Sequence, residues 1–211
     1  MPKIIKLILL SLLCSVNLIA QNTKFTEANT LFEEGNFSAA QALYQSVIAN
    51  DGFTESAFYH NAKCSKELFS SDAIFLYEQF LSSFPFTSFK AEVNEDLALL
   101  YYRDMNYPKA VSYFLQLEDL TAQSHLIFKL AYANFSIDSL VDAQYYFSKL
   151  INTESKYAAT AQYYSAYIAY QNGLYKTALN GFEQLIADEQ FGAIAPYYIT
   201  QIYFFQQSYK Q

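Results

Sequence analysis

From Gln21 to Gln211, apolar residues return at helical spacing, and the spacing itself repeats. An alanine is followed four residues later by an aromatic ring at Ala40 and Tyr44, Ala73 and Tyr77, Ala110 and Phe114, Ala143 and Phe147, and Ala178 and Phe182. A large apolar residue stands three further on in each case: Val47, Phe80, Leu117, Leu150 and Leu185. The alanines lie 33, 37, 33 and 35 residues apart. Each set has a small residue upstream, namely Ala28, Ala62, Ala98, Ala131 and Ala166. Positions four and seven apart share one face of a helix, so each set predicts a helix with a single apolar stripe.

Two antiparallel helices per period follow from this pattern. Alanine suits a place where two helix backbones approach, because a larger side chain would hold them apart. The rings and aliphatic residues then fill the space to the neighbouring pair. Turn-forming runs separate the halves: Glu34-Gly35-Asn36-Phe37, Asp104-Met105-Asn106-Tyr107 and Asn172-Gly173-Leu174-Tyr175. Gly35 and Gly173 are suited to positive φ at a helix end, and Asp104, Asp138 and Asn172 to turns. Pro108 is placed to open the second helix of its unit, and Pro85 to break the chain between units.

Two places depart from regularity. A shortened or rearranged turn is expected near Leu68 to Ser71, and the interval of 37 implies an insertion around Phe86 to Lys90. At the C-terminal end, Pro196 to Phe205 reads as one more first helix, with Gln207-Ser208-Tyr209 as its turn. Without a partner it would expose Ile199, Ile202, Tyr203 and Phe204. Repeat arrays close on a polar capping helix. The expectation is therefore that residues 21–211 hold about five repeats plus the first helix of a sixth, as the N-terminal part of a longer protein.

Residues 1–20 carry a different signal. Lys3 and Lys6 precede an apolar run from Leu7 to Leu13, which resumes at Val16 and ends at the small Ala20. This is the layout of a secretory signal peptide, and it is shorter than the roughly 20 apolar residues that span a bilayer. The segment around Cys14 is similar to a lipoprotein signal, but Leu13 stands where that pattern has a small residue, so Cys14 is read as an apolar filler. Cleavage after Ala20 would leave Cys64 as the remaining cysteine, with no internal disulfide. An exported, disulfide-free chain fits the envelope of a Gram-negative bacterium, in the periplasm or at the outer-membrane periphery.

Composition narrows the partners. The chain has 13 basic and 20 acidic residues, a net charge of −7, which becomes −9 once Lys3 and Lys6 are removed. Neutralising phosphates requires clustered Lys and Arg, so nucleic acid is not expected. Membrane association is expected only indirectly or through sequence outside this chain. A hydrophobic content of 53% excludes general disorder, and 5 Gly with 4 Pro speak against a turn-rich β fold.

The alanine–aromatic pairs at a near-constant period resemble the tetratricopeptide repeat (TPR) family, whose unit is about 34 residues. The resemblance covers nearly all of residues 21–211. It implies an all-α fold, an α-solenoid of antiparallel helix pairs wound as a TPR superhelix. It also implies a concave groove lined by the first helices, in which a peptide or partner helix is held.

Catalytic chemistry has no motif here. His60 and His125 lie 65 residues apart, and His60 with Cys64 would supply only two ligands. No Ser-His-Asp order, Gly-rich phosphate loop or paired-carboxylate motif is present. Acidic pairs such as Glu33-Glu34 and Glu95-Asp96 read as solvated helix faces. The expectation is a non-enzyme with no catalytic, cofactor-binding or metal site.

Aromatic residues are the stronger lead, since the chain holds 20 Tyr and 19 Phe. The repeat register implied by the resemblance turns Phe25, Phe32, Tyr59, Tyr102, Phe128, Tyr132, Phe135, Tyr163, Tyr167, Tyr170, Tyr197 and Phe204 toward the groove, about half of them packing as core. Phe128, Tyr132 and Phe135, then Tyr163, Tyr167 and Tyr170, converge most densely and form the candidate partner-binding site. Groove positions that hold Lys, Arg and Asn in carboxylate-gripping relatives carry mostly Phe, Tyr and Glu. Asp138-Ser139-Leu140 resembles a three-residue O-glycosylation signal and makes Ser139 a candidate site.

These readings converge on a protein–protein interaction scaffold of the bacterial cell envelope. The sensor half of a signalling protein and a glycan-binding outer-membrane protein built on similar helices are the alternatives.

Overall fold

A computed structural model describes residues 23–50, 54–118, 120 and 123–208 of the chain. The segment 1–20, read as a signal peptide, lies outside the described residues. Eleven helices are present among the described residues, with no strand. They are α1 (23–33), α2 (Phe37–Ile48), α3 (Thr54–Glu67), α4 (Ala73–Ser83), α5 (Lys90–Arg103), α6 (Tyr107–Phe114), α7 (Ser124–Ser136), α8 (Leu140–Ser148), α9 (Ala158–Gln171), α10 (Tyr175–Glu183) and α11 (Ala195–Ser208). Tight turns join α1 to α2, α3 to α4, α5 to α6, α7 to α8 and α9 to α10, and α11 follows as a further helix.

The repeating alanines and rings form the core. Ala40, Ala73, Ala110, Ala143 and Ala178 are buried, as are Tyr44, Tyr77, Phe114, Phe147 and Phe182. The upstream alanines 28, 62, 98, 131 and 166 are buried with them. Leu117 is half-buried, because α6 ends at Phe114 and leaves it in the following turn. The chain divides into two compact units, residues 1–93 and 94–211, with the boundary inside α5. In the first unit Ala28, Ala40, Tyr44, Val47, Ala57 and Cys64 share one core. In the second, one cluster gathers around Phe147 and Leu150 and another around Phe182 and Ile202.

The five turns have one design. The residue after the helix cap takes positive φ: Gly35 (78°), Phe69 (54°), Met105 (57°), Asp138 (62°) and Gly173 (70°). The next residue donates its N–H back to the carbonyl five positions earlier, Asn36 to Leu31, Ser70 to Ser65, Asn106 to Tyr101, Ser139 to Asn134 and Leu174 to Ala169, each at 2.8–2.9 Å. This is the Schellman arrangement, which satisfies the last carbonyls of the helix. Glycine fills it without strain at two of the five turns. Phe69 and Met105 fill it with a Cβ that crowds the following carbonyl, at a cost of about 1–2 kcal/mol each. Met105 is largely exposed, so little packing offsets that cost. Met105→Gly is therefore expected to raise stability by about 1 kcal/mol, read as a higher urea midpoint at unchanged slope.

Of the two forms expected for the second turn, the structure has the rearranged one; the expectation for the C-terminal turn is corrected. Five residues, 68–72, separate α3 from α4, and α4 begins at Ala73 itself, three residues later in register than its counterparts. The Ser65 hydroxyl donates to the Asp72 carboxylate across that turn and, with Ser70, holds its pKa below the usual carboxylate value. At the other end, α11 runs through Gln207 and Ser208 instead of turning there. Ile202 is fully buried in the core beside Phe182 and Leu185, whereas Tyr203 and Phe204 are exposed and Ile199 is half-buried. An α-helix turns 100° per residue, so Ile202 and Phe204 lie on opposite sides of α11.

Candidate functional site

The candidate site lies in the second unit, on the first helices of successive pairs. One side of α7 buries Ile127, Leu130 and Ala131, and one side of α9 buries Ala161, Ala166, Ile168 and Ala169. The i, i+4, i+7 rows Phe128–Tyr132–Phe135 and Tyr163–Tyr167–Tyr170 lie beside these stripes, and all six rings are half-buried. Within α7, Tyr132 lies 6.4 Å from Phe128 and 6.3 Å from Phe135, between ring centroids. Tyr163 stacks on Tyr167 at 6.3 Å. Phe135 meets Tyr167 edge-on at 6.1 Å, which joins the two rows into one strip.

Two further rings, missed by the sequence reading, complete the strip. Tyr164 lies 5.5 Å from Tyr132 and 5.0 Å from Phe135, and stacks on the buried Phe147 at 5.2 Å. Tyr198 of α11 stacks on Phe182 at 4.7 Å and reaches Tyr170 at 5.5 Å and Tyr167 at 5.7 Å. Its hydroxyl lies 3.4 Å from that of Tyr163. Tyr198 takes the place assigned from the sequence to Tyr197, whose side chain is exposed together with that of Phe204. The signal was available, since the last interval of 35 added to Tyr163 gives 198. At the other end, Tyr102 and Tyr107 approach Tyr132 at 6.1 and 6.0 Å, and the Lys129 ammonium stands 4.5 Å over the Tyr102 ring.

The strip is uncharged over most of its length. Burial raises the phenol pKa of Tyr102 and of Tyr164, and neighbouring tyrosines add to it. Tyr198 is pushed up to about 12 by burial and by its bond to Tyr163. These hydroxyls stay protonated at neutral pH and act as hydrogen-bond donors and acceptors on an apolar floor. That combination suits a surface with one dry and one wet side, as aromatic recognition surfaces have. Lys129 carries the charge at the edge, and burial lowers its pKa.

Other expected groove positions sort differently. In the first unit Tyr59 is buried, stacked on Phe89 at 4.1 Å, and belongs to the core. Phe25 and Phe32 are half-buried against the core around Tyr44. Asp96 is buried and Glu95 half-buried, so this pair does not stand on a solvated face. Ser139 stands at the N-terminal cap position of α8 without a side-chain bond to the helix backbone; its hydroxyl donates to Asp142 at 2.8 Å, and its side chain is half-buried.

His60 and Cys64 share α3 without forming a site. His60 stacks on Tyr44 at 5.3 Å and meets Phe32 and Tyr59 edge-on, while Nδ1 lies 2.8 Å from the Ser56 carbonyl. Burial lowers its pKa, with Lys63 adding to the effect and the Ser56 carbonyl and Glu92 opposing it. The Cys64 thiol is buried and pushed up to about 12 by that burial. Among the described residues no group of three His, Cys, Asp or Glu is placed to hold a metal ion. The depressed His60 value has a measurable consequence. The unfolded chain takes up a proton below about pH 6.5, whereas the folded chain resists it. Stability is thus expected to fall as pH drops from 6.5 through the lower folded value, and His60→Gln should flatten that slope in denaturant titrations.

No protein-family model matches the chain, and no curated protein matches it by sequence. Solved structures do match it. MamA from AMB-1 superposes with a TM-score of 0.65 at 19% identity, covering 83% of this chain and 98% of its own. YrrB, described as a TPR protein with an unusual peptide-binding site, gives 0.63 at 16%, covering 82% and 89%. A tetratricopeptide repeat protein from Parabacteroides merdae gives 0.60 at 15%, covering 89% and 73%. With its alanine-packed helix pairs, its repeated Schellman turns and these likenesses, the chain has the all-α fold of tetratricopeptide repeat proteins.

Proposed function

We propose that this protein is a non-catalytic interaction scaffold that holds an apolar segment of a partner protein against the aromatic strip of its second unit. The observation that carries the reading is the continuous set of half-buried rings from Tyr102 through Tyr132, Phe135 and Tyr167 to Tyr198. Large apolar patches that remain partly open to water usually mark interaction sites. Rigid rings also give up little conformational entropy on binding. The peptide-binding site named for YrrB, which shares the fold, supports a peptide or protein as the partner class.

The setting is the cell envelope, read from the layout of residues 1–20. N-terminal sequencing of the exported protein should begin near Gln21; a mature protein that retains Met1 to Ala20 would overturn that part. Ser139 is a candidate for O-glycosylation in the native host, which mass spectrometry of its peptide decides.

The scaffold reading is tested by a photo-reactive phenylalanine analogue placed in cells at Tyr167, and separately at the exposed Asn180 on the second helix of the same pair. A single partner adduct at 167 and none at 180 is the expected result. Equal labelling at both positions would contradict the assignment of the strip.

A further inference from the structure

A second concavity lies away from the strip, where the start of α8 meets the end of α9 and the turn into α10. It is a cavity of about 380 Å³ lined by Leu140, Val141, Gln144, Ile168, Leu174 and Thr177, together with Ala169 and Asn172. Two features mark it as more than a packing gap. No charged side chain lines it. Its rim is apolar and open, since Val141 and Leu174 are among the most exposed aliphatic residues described. A volume near 400 Å³ is at the lower end of small-molecule sites, enough for one fused ring system.

Gln144 adds a polar group to this apolar lining. Its Nε2 donates to the Ser165 hydroxyl, and Ser165 is itself buried. Its Oε1 is also buried and has no hydrogen-bond partner. A buried acceptor left unpaired is costly, because its lost hydration is not replaced. Gln144 borders the cavity, and a turn about its last side-chain torsion, which is broad and soft, exchanges the Nε2 bond to Ser165 for one that Oε1 accepts from a donor in the space. A ligand that brings one N–H or O–H on an otherwise apolar body would fill the volume and relieve that acceptor. A charged ligand would find no counter-charge and would lose its hydration.

We infer that this cavity between the fourth and fifth helix pairs binds a compact, uncharged aromatic molecule with a single ring N–H, of the indole class, through apolar contact and a hydrogen bond to Gln144. This site is independent of the strip and of the scaffold reading.

Indole itself is the probe. Its fluorescence reports cleanly, because the chain has no tryptophan. Methyl NMR of the full chain locates the site. Titration should move the methyl signals of Leu140, Ile168 and Leu174 together. 1-Methylindole, which lacks the donor, should bind about fivefold more weakly, the equivalent of one net hydrogen bond. Gln144→Leu should remove that difference between the two probes while leaving helical content unchanged. Shifts confined to the aromatic strip, or none at these methyls up to the solubility of indole, would overturn the site. Equal binding of indole and 1-methylindole to the unmodified chain would overturn the role of Gln144, and with it the inference.

Discussion

Replacing Phe182 with alanine is expected to destabilise the second unit by about 3–5 kcal/mol. Phe182 is fully buried and stacks nearly parallel on Tyr198 at 4.7 Å, with Tyr163 edge-on at 6.2 Å. It shares a core cluster with Leu185, Phe191, Ala195 and Ile202. The ring therefore ties α9 and α10 to α11. Truncation removes its transfer energy and leaves a cavity walled by other rings, which have few rotamers with which to collapse into it. Hydrogen exchange should show the loss concentrated in α11, which has contacts on that side alone among the described helices of the unit. A cost below about 1 kcal/mol would mean that α11 is held by something other than this cluster.

Gly181→Val should be nearly as damaging, through overpacking. A Cβ at position 181 would stand 2.7 Å from the Ala166 Cβ and 2.8 Å from the Gln162 side chain. The Gln162 amide is flexible and can move, but Ala166 has no torsion to turn. Relief must come from moving α10 away from α9. Leaving glycine improves helix propensity by less than about 1 kcal/mol. Overpacking costs about 1–3 kcal/mol, so the net sign is destabilising. Ala166→Gly in the same chain should recover part of the loss, because it removes the atom that is struck. Chemical denaturation of the four variants of this cycle checks the coupling.

The sequence carried the repeat pattern more fully than it carried the details of each repeat. The alanine at the helix contact and the ring four residues on are legible because both are fixed by a distance, the approach of two backbones. The turns themselves were legible, but the position that takes the left-handed backbone was legible only at Gly35, Gly173 and Asp138. At Phe69 and Met105 the same left-handed backbone is reached with ordinary side chains, which give no sign in the sequence. Gly181 marks a close approach of α10 to α9, which the repeat pattern does not single out. On α11 the register from the previous pair points to Tyr198, but the doublet Tyr197-Tyr198 offers a ring at either position. An error of one residue turns a helix by 100° and moves the ring from the core to water. Ile202 was expected to be exposed for want of a partner helix, and it is buried because α11 packs it against the core around Phe182 and Leu185.

The candidate site was partly legible. The two rows of rings follow from i, i+4, i+7 spacing, and the link between them follows from the stacking of neighbouring pairs. What spacing does not give is depth. Tyr59 and Tyr132 both stand on first helices, yet Tyr59 is buried under Phe89 while Tyr132 keeps part of its surface open. Depth depends on what the connecting loop lays over the ring, and the 84–89 loop places Phe89 over Tyr59.

The central claim is that the strip receives a partner, and one double substitution tests it most directly. Tyr132→Ala with Tyr167→Ala removes rings from both rows while leaving Phe147 and Phe182, the fully buried rings beneath them, in place. Binding of the partner found by cross-linking at Tyr167 is then measured by calorimetry alongside the helical signal in circular dichroism. The expected result is a loss of about 2 kcal/mol or more, roughly a thirtyfold weaker association, with helical content retained. Undiminished binding by the folded double variant, or loss of the fold, would contradict the claim, the first because the partner sits elsewhere and the second because the two rings are core.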